Sequence, residues 1–347
     1  MRAHTSGKRW TTRSSLALAL AATLGLLSSN TAYGDDAGAG VRARSPVQMY
    51  GKVRVCGTRL CSESGKPVQL KGMSTHGTQW YAHCLTGPAL DALAYDWRAS
   101  VLRVSTYARE GGYASDPRKF TELASRLIDM ATARGMYVIV DWHTIHPGDP
   151  FQDLDKARAF FRQLAERHKH KRNVIYEIAN EPHHVPWATV KRYAEAVIPV
   201  IRSRAPDAVI LVPTPAWATF GVALGSDERD VVADPLRVGN VMYTFHFYAS
   251  AAGDPFYSAL ERVSAKLPVF VTEWGTASWT GWGNDFAKAQ KWVDLMARRQ
   301  IGWTKWSLAD NADDLSVYKK GACRAGKFSG TGVLKPSGVW VRERIRG

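Results

Sequence analysis

The sequence predicts an α/β fold: a closed (β/α)8 TIM barrel preceded by a short N-terminal β-hairpin. Three observations carry this reading. Eight apolar, strand-like runs begin near residues 68, 100, 137, 173, 208, 240, 268 and 301. Consecutive starts lie 28 to 37 residues apart, the length of one strand–helix unit. The intervals carry helical periodicity, and strict alternation of strands and helices implies a parallel sheet that closes on itself. A doubly wound open sheet is the alternative, but no GxGxxG follows any of the strands.

The elements follow in order. Arg2, Lys8, Arg9 and Arg13 precede the apolar run "SSLALALAATLGLL" at 14–27, and small residues Ala32 and Gly34 flank Tyr33. This is the three-part pattern of a secretory signal peptide over 1–34, with an uncleaved anchor as the alternative. The expected protein is secreted and extracellular. No later apolar run reaches membrane-spanning length, so no membrane partner is expected after signal cleavage. A short linker is expected over 35–48 and the catalytic domain over 49–347. "YGKVRVCGTRLCSESGKPVQ" alternates like a hairpin, with turns at Gly57 and Gly65. The strands are "VQLKGMSTHG", "SVLRVSTY", "YVIVDWH", "NVIYEIANEP", "AVILVPTPAW", "NVMYTFHFYA", "PVFVTEWGTA" and "IGWTKWSLAD". Among the helices, 118–135 places Phe120, Leu123, Leu127, Met130 and Ala131 on one face and stops at Gly135. The helix over 284–302 is expected to be capped by Asn284. The last helix runs through "SGVWVRERIRG", and one domain accounts for the chain beyond residue 48.

Composition excludes several classes. Hydrophobic residues make up 45% and charged residues 22%, a normal globular mixture. The formal charge is +15; four of the basic residues precede Asp35, which leaves +11 without the signal. The basic residues are scattered, and the densest run, "RHKHKR" at 167–172, falls at a helix end where cations suit the dipole. Nucleic acid is therefore not an expected partner, and a monomer is expected. The four cysteines of an exported chain favour two disulfides, Cys56–Cys61 across a turn and Cys84–Cys323. No GxSxG or GxxxxGK[ST] occurs, which disfavours acyl and phosphoryl transfer. His143, His146, His183, His184 and His246 form no regular ligand spacing, so no metal and no cofactor is expected. His183 and His184 are read as solvated or outer-cleft residues.

In a barrel of this kind the reactive groups gather at the carboxyl ends of the strands. Those ends carry His76 with Trp80 and Tyr81 beyond, Arg103 and Tyr107, Asp141–Trp142–His143, Asn180–Glu181, Trp217, His246 and Tyr248, Glu273–Trp274, and Trp306. Glu181 and Glu273 end different strands at one rim. Two facing carboxylates are the equipment for splitting a glycosidic bond, one as a protonated acid and one as an ionised nucleophile. Like charges in one site push one pKa upward, and Arg103 is placed to keep the other carboxylate ionised. Flat rings at strand ends can stack on sugar faces; Trp80, Trp306 and then Trp217 are the candidates, whereas Trp274 and Trp142 read as packing.

"EIANEP" and "VFVTEWG" resemble the acid/base and nucleophile signatures of glycoside hydrolase family 5, the family of many bacterial endoglucanases. "LKGMSTHGTQWY", "LRVSTY", "VIVDWH", "FHFYA" and "GWTKWSLAD" resemble its other strand ends, in order, over about residues 50 to 345. The likeness is closest to secreted actinobacterial endo-β-1,4-glucanases. It implies Glu181 as acid/base and Glu273 as nucleophile. It implies Asn180 on the sugar 2-hydroxyl, Arg103 and Tyr248 supporting the nucleophile, and His143 and His246 lining the central subsite. His76 and Trp306 would bind glucose nearby, and Tyr107 belongs with the substrate-binding set. After the eighth strand many relatives carry a lysine and an acidic residue on sugar hydroxyls. This chain has "DNADDLS", and nothing is carried over to Asn311 or Asp313. The expected partner is a β-1,4-glucan, cut internally with retention. β-Mannan, xyloglucan or mixed-linkage β-glucan are alternatives, as is a barrel that binds polysaccharide without cutting it.

Overall fold

The computed structural model describes residues 44–347. The expected signal peptide and most of the expected linker lie outside these residues. A compact unit runs from Arg44 to Gly347, so it takes in residues expected to be linker. The reason is local. Ser45 and Gln48 form a capping box on a short helix, Pro46–Tyr50, and the Val47 amide donates to the Gly135 carbonyl.

Strands β1 (Arg54–Cys56) and β2 (Arg59–Cys61) pair antiparallel as the hairpin, with Cys56 and Cys61 joined. Eight parallel strands then close a barrel: β3 (Lys71–Thr75), β4 (Val101–Tyr107), β5 (Tyr137–His143), β6 (Val174–Glu177), β7 (Ile210–Val212), β8 (Val241–Tyr248), β9 (Val269–Gly275) and β10 (Trp303–Leu308). Each strand lies beside its sequence neighbour, and β10 pairs with β3. The TIM barrel with a small hairpin is the architecture that the strand spacing predicts. One cap differs from expectation: Asp285, not Asn284, accepts the Lys288 amide, because Asn284 is engaged by the Thr276 hydroxyl.

Side chains alternate along each strand. On β5, Val138, Val140 and Trp142 face the helices, while Tyr137 and Ile139 enter the barrel. The barrel interior is apolar at its lower end, where Val101, Tyr137, Ile139, Ile175, Val209, Leu211, Met242 and Phe270 meet Leu60 and Val68 beneath. Continuing the same faces upward brings Arg103, Ser105, Asp141, His143 and Glu177 inward, all buried. The strands thus change from apolar to polar along their length, and the change builds the site.

One irregularity matters. Thr244 pairs with Phe270 but His246 pairs with Glu273, and Trp303 pairs with Val271 but Lys305 with Trp274. On both sides β9 has one residue more than its neighbour. A bulge of this kind re-aims side chains next to an active site. Here it allows Thr272 and Glu273, adjacent residues, both to reach the interior, while Trp274 packs outward.

Cys84 and Cys323 are joined across 239 residues and are both buried, tying the segment after β3 to the segment after β10. Closing so long a loop restricts the unfolded chain strongly. Replacing both residues by alanine should lower the unfolding free energy by about 2–5 kcal/mol. Urea titration of the two proteins checks this; coincident curves would contradict it.

Candidate active site

The site is organised by one buried guanidinium. Arg103, on β4, is fully buried. Its Nε donates to Glu177 Oε2 at 2.6 Å and its Nη2 to Glu177 Oε1 at 3.1 Å. Nη1 reaches Glu273 Oε2 at 3.0 Å, and Nη2 reaches Asn180 Oδ1 at 2.7 Å and Asp141 Oδ2 at 3.0 Å. Arginine suits this position because its planar fork serves several acceptors at once.

Glu273 is held on both oxygens, by Arg103 on Oε2 and by the Tyr248 hydroxyl on Oε1 at 2.6 Å. Glu181 lies beyond the end of β6, in the loop that follows Glu177. Its Oε1 is 2.8 Å from His246 Nδ1. An oxygen of Glu181, an oxygen of Glu273 and a ring nitrogen of His246 all lie within 4.8 Å of one another. Burial pushes the Glu181 carboxyl up to about 8, against the pull of Arg103 and helped by Asp141 and Glu177. Burial takes His246 down to about 4 and His143 well below the ordinary histidine value. Neutral imidazoles beside a protonated carboxyl are the result at neutral pH.

The sequence-derived residues converge. His143 Nδ1 is 2.6 Å from Asp141 Oδ2, and its ring stacks on Tyr107 at 4.2 Å and on Trp306 at 5.5 Å between centroids. His76 contacts Trp306, Trp80 and Tyr81, and burial takes it down to about 4. Trp80 is 47% exposed and meets His76 and Tyr107 edge-on. Asn180 bonds both Arg103 and the Thr144 carbonyl. Trp142 and Trp274 are fully buried packing residues.

Two expectations are corrected. Trp217 is not at a strand end: β7 stops at Val212, and Ala216, Trp217 and Ala218 form a left-handed turn with φ near 60°. The Trp217 amide bonds the Pro182 carbonyl, and its indole stacks on His183 at 4.7 Å. Of the two readings for His183, solvated or outer-cleft, burial removes the solvated one; His184 is exposed.

The strand-end reading passed over Glu177, Thr272 and Lys305. Glu177 had a signal: it shares the inward face of Ile175, four residues before Glu181. Thr272 had none, because the bulge in β9 is not visible in period-two patterning. Lys305 is fully buried on β10, where burial lowers it to about 7, and its ammonium holds the Leu315 carbonyl. Lys335 grips the Asn311 and Asp313 carbonyls in the same loop.

A second cluster, His83, Cys84 and Asp310, meets the distance for a metal, but Cys84 is committed to a disulfide. The Arg103 network yields a stability prediction. Arg103→Met leaves Asp141 and Glu177 buried with no cation, which should cost about 3–5 kcal/mol. Chemical denaturation at pH 7 measures it, and a loss below about 1 kcal/mol would show that the carboxylates find other compensation.

Comparison with known proteins places this geometry. The profile of the cellulase family, glycosyl hydrolase family 5, matches residues 61–312. Endoglucanase E-5 of Thermobifida fusca is 54% identical over 303 residues, covering 87% of this chain and 65% of that protein. Endoglucanase CelA of Streptomyces lividans is 45% identical over 301 residues, again 87% of this chain and 65% of the relative. The chain thus spans just under two thirds of the length of these relatives. The crystal structure of the catalytic domain of the Thermobifida fusca endoglucanase matches with a TM-score of 0.86, covering 88% of this chain and 100% of that one. The same domain carrying one substitution is known in complex with cellotetraose. With its barrel, its paired strand-end glutamates and a profile match over most of its length, this chain belongs to glycosyl hydrolase family 5.

Proposed function

We propose that the protein is a secreted endo-β-1,4-glucanase that cuts cellulose chains internally with retention of anomeric configuration, working as a monomer. The observation that carries this is the carboxylate pair. Oxygens of Glu181 and Glu273 approach within 4.8 Å. Retaining enzymes hold their carboxyl groups about 5–5.5 Å apart, whereas inverting ones leave about 6.5–9.5 Å for a water. The names of the relatives and the cellotetraose bound to the Thermobifida domain support the glucan as substrate. The basic-then-apolar start of the chain and the two disulfides support export.

The mechanism follows from the contacts. Glu273 attacks the anomeric carbon, its position fixed by Tyr248 and Arg103. Glu181, kept protonated by burial, gives its proton to the leaving oxygen. A glycosyl ester on Glu273 results. Water then attacks it as Glu181 takes a proton back, and the second inversion restores the configuration. Asn180, His76, Trp80, Tyr107, Trp217, His143 and Trp306 are the surfaces that would align the glucan.

Carboxymethylcellulose tests this. Wild-type protein should lower viscosity well ahead of reducing-end release, and Glu273→Ala should lower the rate on the order of 10⁴-fold. Proton NMR of the first products should show the β-anomer. No viscosity loss by wild type would discard cellulose, equal loss by both proteins would discard Glu273, and an α-anomer would discard retention.

The pH profile has a defined sign. Glu181 must be protonated to act as acid, and its proton is lost as pH rises through about 8. The ratio kcat/KM should therefore fall on an alkaline limb near pH 8. A limb below pH 6 would place the acid elsewhere.

A further inference from the structure

Behind the two glutamates runs a hydrogen-bond path whose proton count can be settled. Glu177 accepts two N–H bonds from Arg103, one on each oxygen. It is therefore the ionised, acceptor-only form that meets the next group. The Thr272 hydroxyl lies 2.7 Å from Glu177 Oε1. A hydroxyl has one proton, and facing a carboxylate it must donate that proton. The same oxygen lies 2.8 Å from His246 Nε2. Having spent its proton, Thr272 can only accept there, so Nε2 must carry a hydrogen. A neutral imidazole with Nε2–H offers a bare Nδ1. Bare Nδ1 is 2.8 Å from Glu181 Oε1, a distance that requires a donor. With burial keeping the imidazole neutral, the carboxyl is the group that supplies it.

Resting on the reading of Glu181 as acid/base, we propose that Thr272, oriented by Glu177, fixes His246 as its Nε2–H tautomer and so makes Glu181 carry a proton in the free enzyme. Thr272, Glu177 and His246 are positioning residues; none needs to touch substrate. The path joins the two halves of the machinery, because the Arg103 that orients Glu177 also holds Glu273.

The path serves both steps of the reaction. In the first, the proton stored on Glu181 Oε1 reaches the leaving oxygen by rotation of the carboxyl about its terminal bond, a broad two-fold torsion. The proton leaves with the alcohol and Glu181 becomes a carboxylate. In the second, that carboxylate faces the lone pair of Nδ1 rather than a hydrogen. This disfavours the charged form, and Glu181 removes a proton from the attacking water. Water's oxygen forms the new bond to the sugar, the ester to Glu273 breaks, and the proton count on Glu181 is restored. The charged and titratable groups around this pair are Glu177, 3.9 Å from Nε2, with Glu273, Arg103 and His143 around His246, and Arg103, Asp141, Glu177, Tyr107 and Tyr248 around Glu181. Their charges persist when the threonine hydroxyl is removed, so the effect of the hydroxyl can be isolated.

The direct test is the tautomer. In full-length protein labelled with ¹⁵N at histidine, His246 should show a protonated Nε2 and a bare Nδ1 at pH 6. A protonated Nδ1 would overturn the proposal, whether or not the protein cuts glucan, so this outcome is separate from failure of the proposed activity. The kinetic test compares Thr272→Val and Thr272→Ser. Valine keeps the shape and removes the hydroxyl, freeing His246 to turn Nδ1–H toward Glu181 and favour its charged form. The alkaline limb of kcat/KM should move down by about one pH unit in the valine variant and stay near its wild-type position in the serine variant. At pH 7.5 the valine variant should lose about threefold on carboxymethylcellulose while keeping its rate on a dinitrophenyl cellobioside, whose leaving group needs no proton. An unmoved limb, or equal losses on both substrates, would show that Thr272 serves packing alone.

Discussion

A positive charge sealed inside the barrel sets the terms for everything around it. Arg103 has no exposed surface, and a buried ion is tolerated only when its partners are complete. Its charged partners come from β5, β6 and β9, and its closest neutral acceptor from the loop that carries Asn180. Four pieces of chain must therefore arrive in register before the interior is electrostatically balanced. Two of those partners, Asp141 and Glu177, have no evident contact with a substrate placed between Glu181 and Glu273. They hold the guanidinium so that it can hold Glu273. A site built this way is rigid before substrate arrives, which is what electrostatic catalysis requires.

The barrel separates stability from chemistry along its own axis. Below, the inward faces are Val101, Ile139, Ile175, Leu211 and Phe270, packed over the hairpin residues. Above, the same faces carry charged and aromatic side chains. The change happens within single strands: Tyr137 and Ile139 are followed, two and four residues on, by Asp141 and His143. Loops after β9 and β10 are tied to one another by Asp314 and the Gly281 and Gly283 backbone, and two lysines clasp the second loop by its carbonyls. The rim therefore rests on a fixed base although it is made of loops.

Most of the fold and the two principal glutamates were legible because they depend on periodic signals. Strand spacing of about one unit, apolar runs and their polar ends survive in one dimension. Glu181 and Glu273 stood out because each follows a buried run that has no reason to end in a carboxylate. Trp217 was misplaced because "AVILVPTPAW" reads as one long strand, whereas the prolines stop pairing at Val212 and a left-handed turn follows. The burial of His183 was not legible because nothing near it in sequence announces the Trp217 ring that stacks on it.

The sequence by itself determined the barrel, the rim that bears the chemistry and the pair of carboxylates on it. These follow from composition and repeat length, which act locally and add up along the chain. Only the tertiary structure gave the physical reason for Glu181 to hold a proton, because burial and neighbouring charge belong to no single segment. It alone brought Thr272 to the interior, since the extra residue in β9 breaks the alternation from which a face is read. The path from Arg103 through Glu177, Thr272 and His246 to Glu181 draws on four strands and one loop, and hydrogen bonds spanning such separations exist only once the barrel has closed.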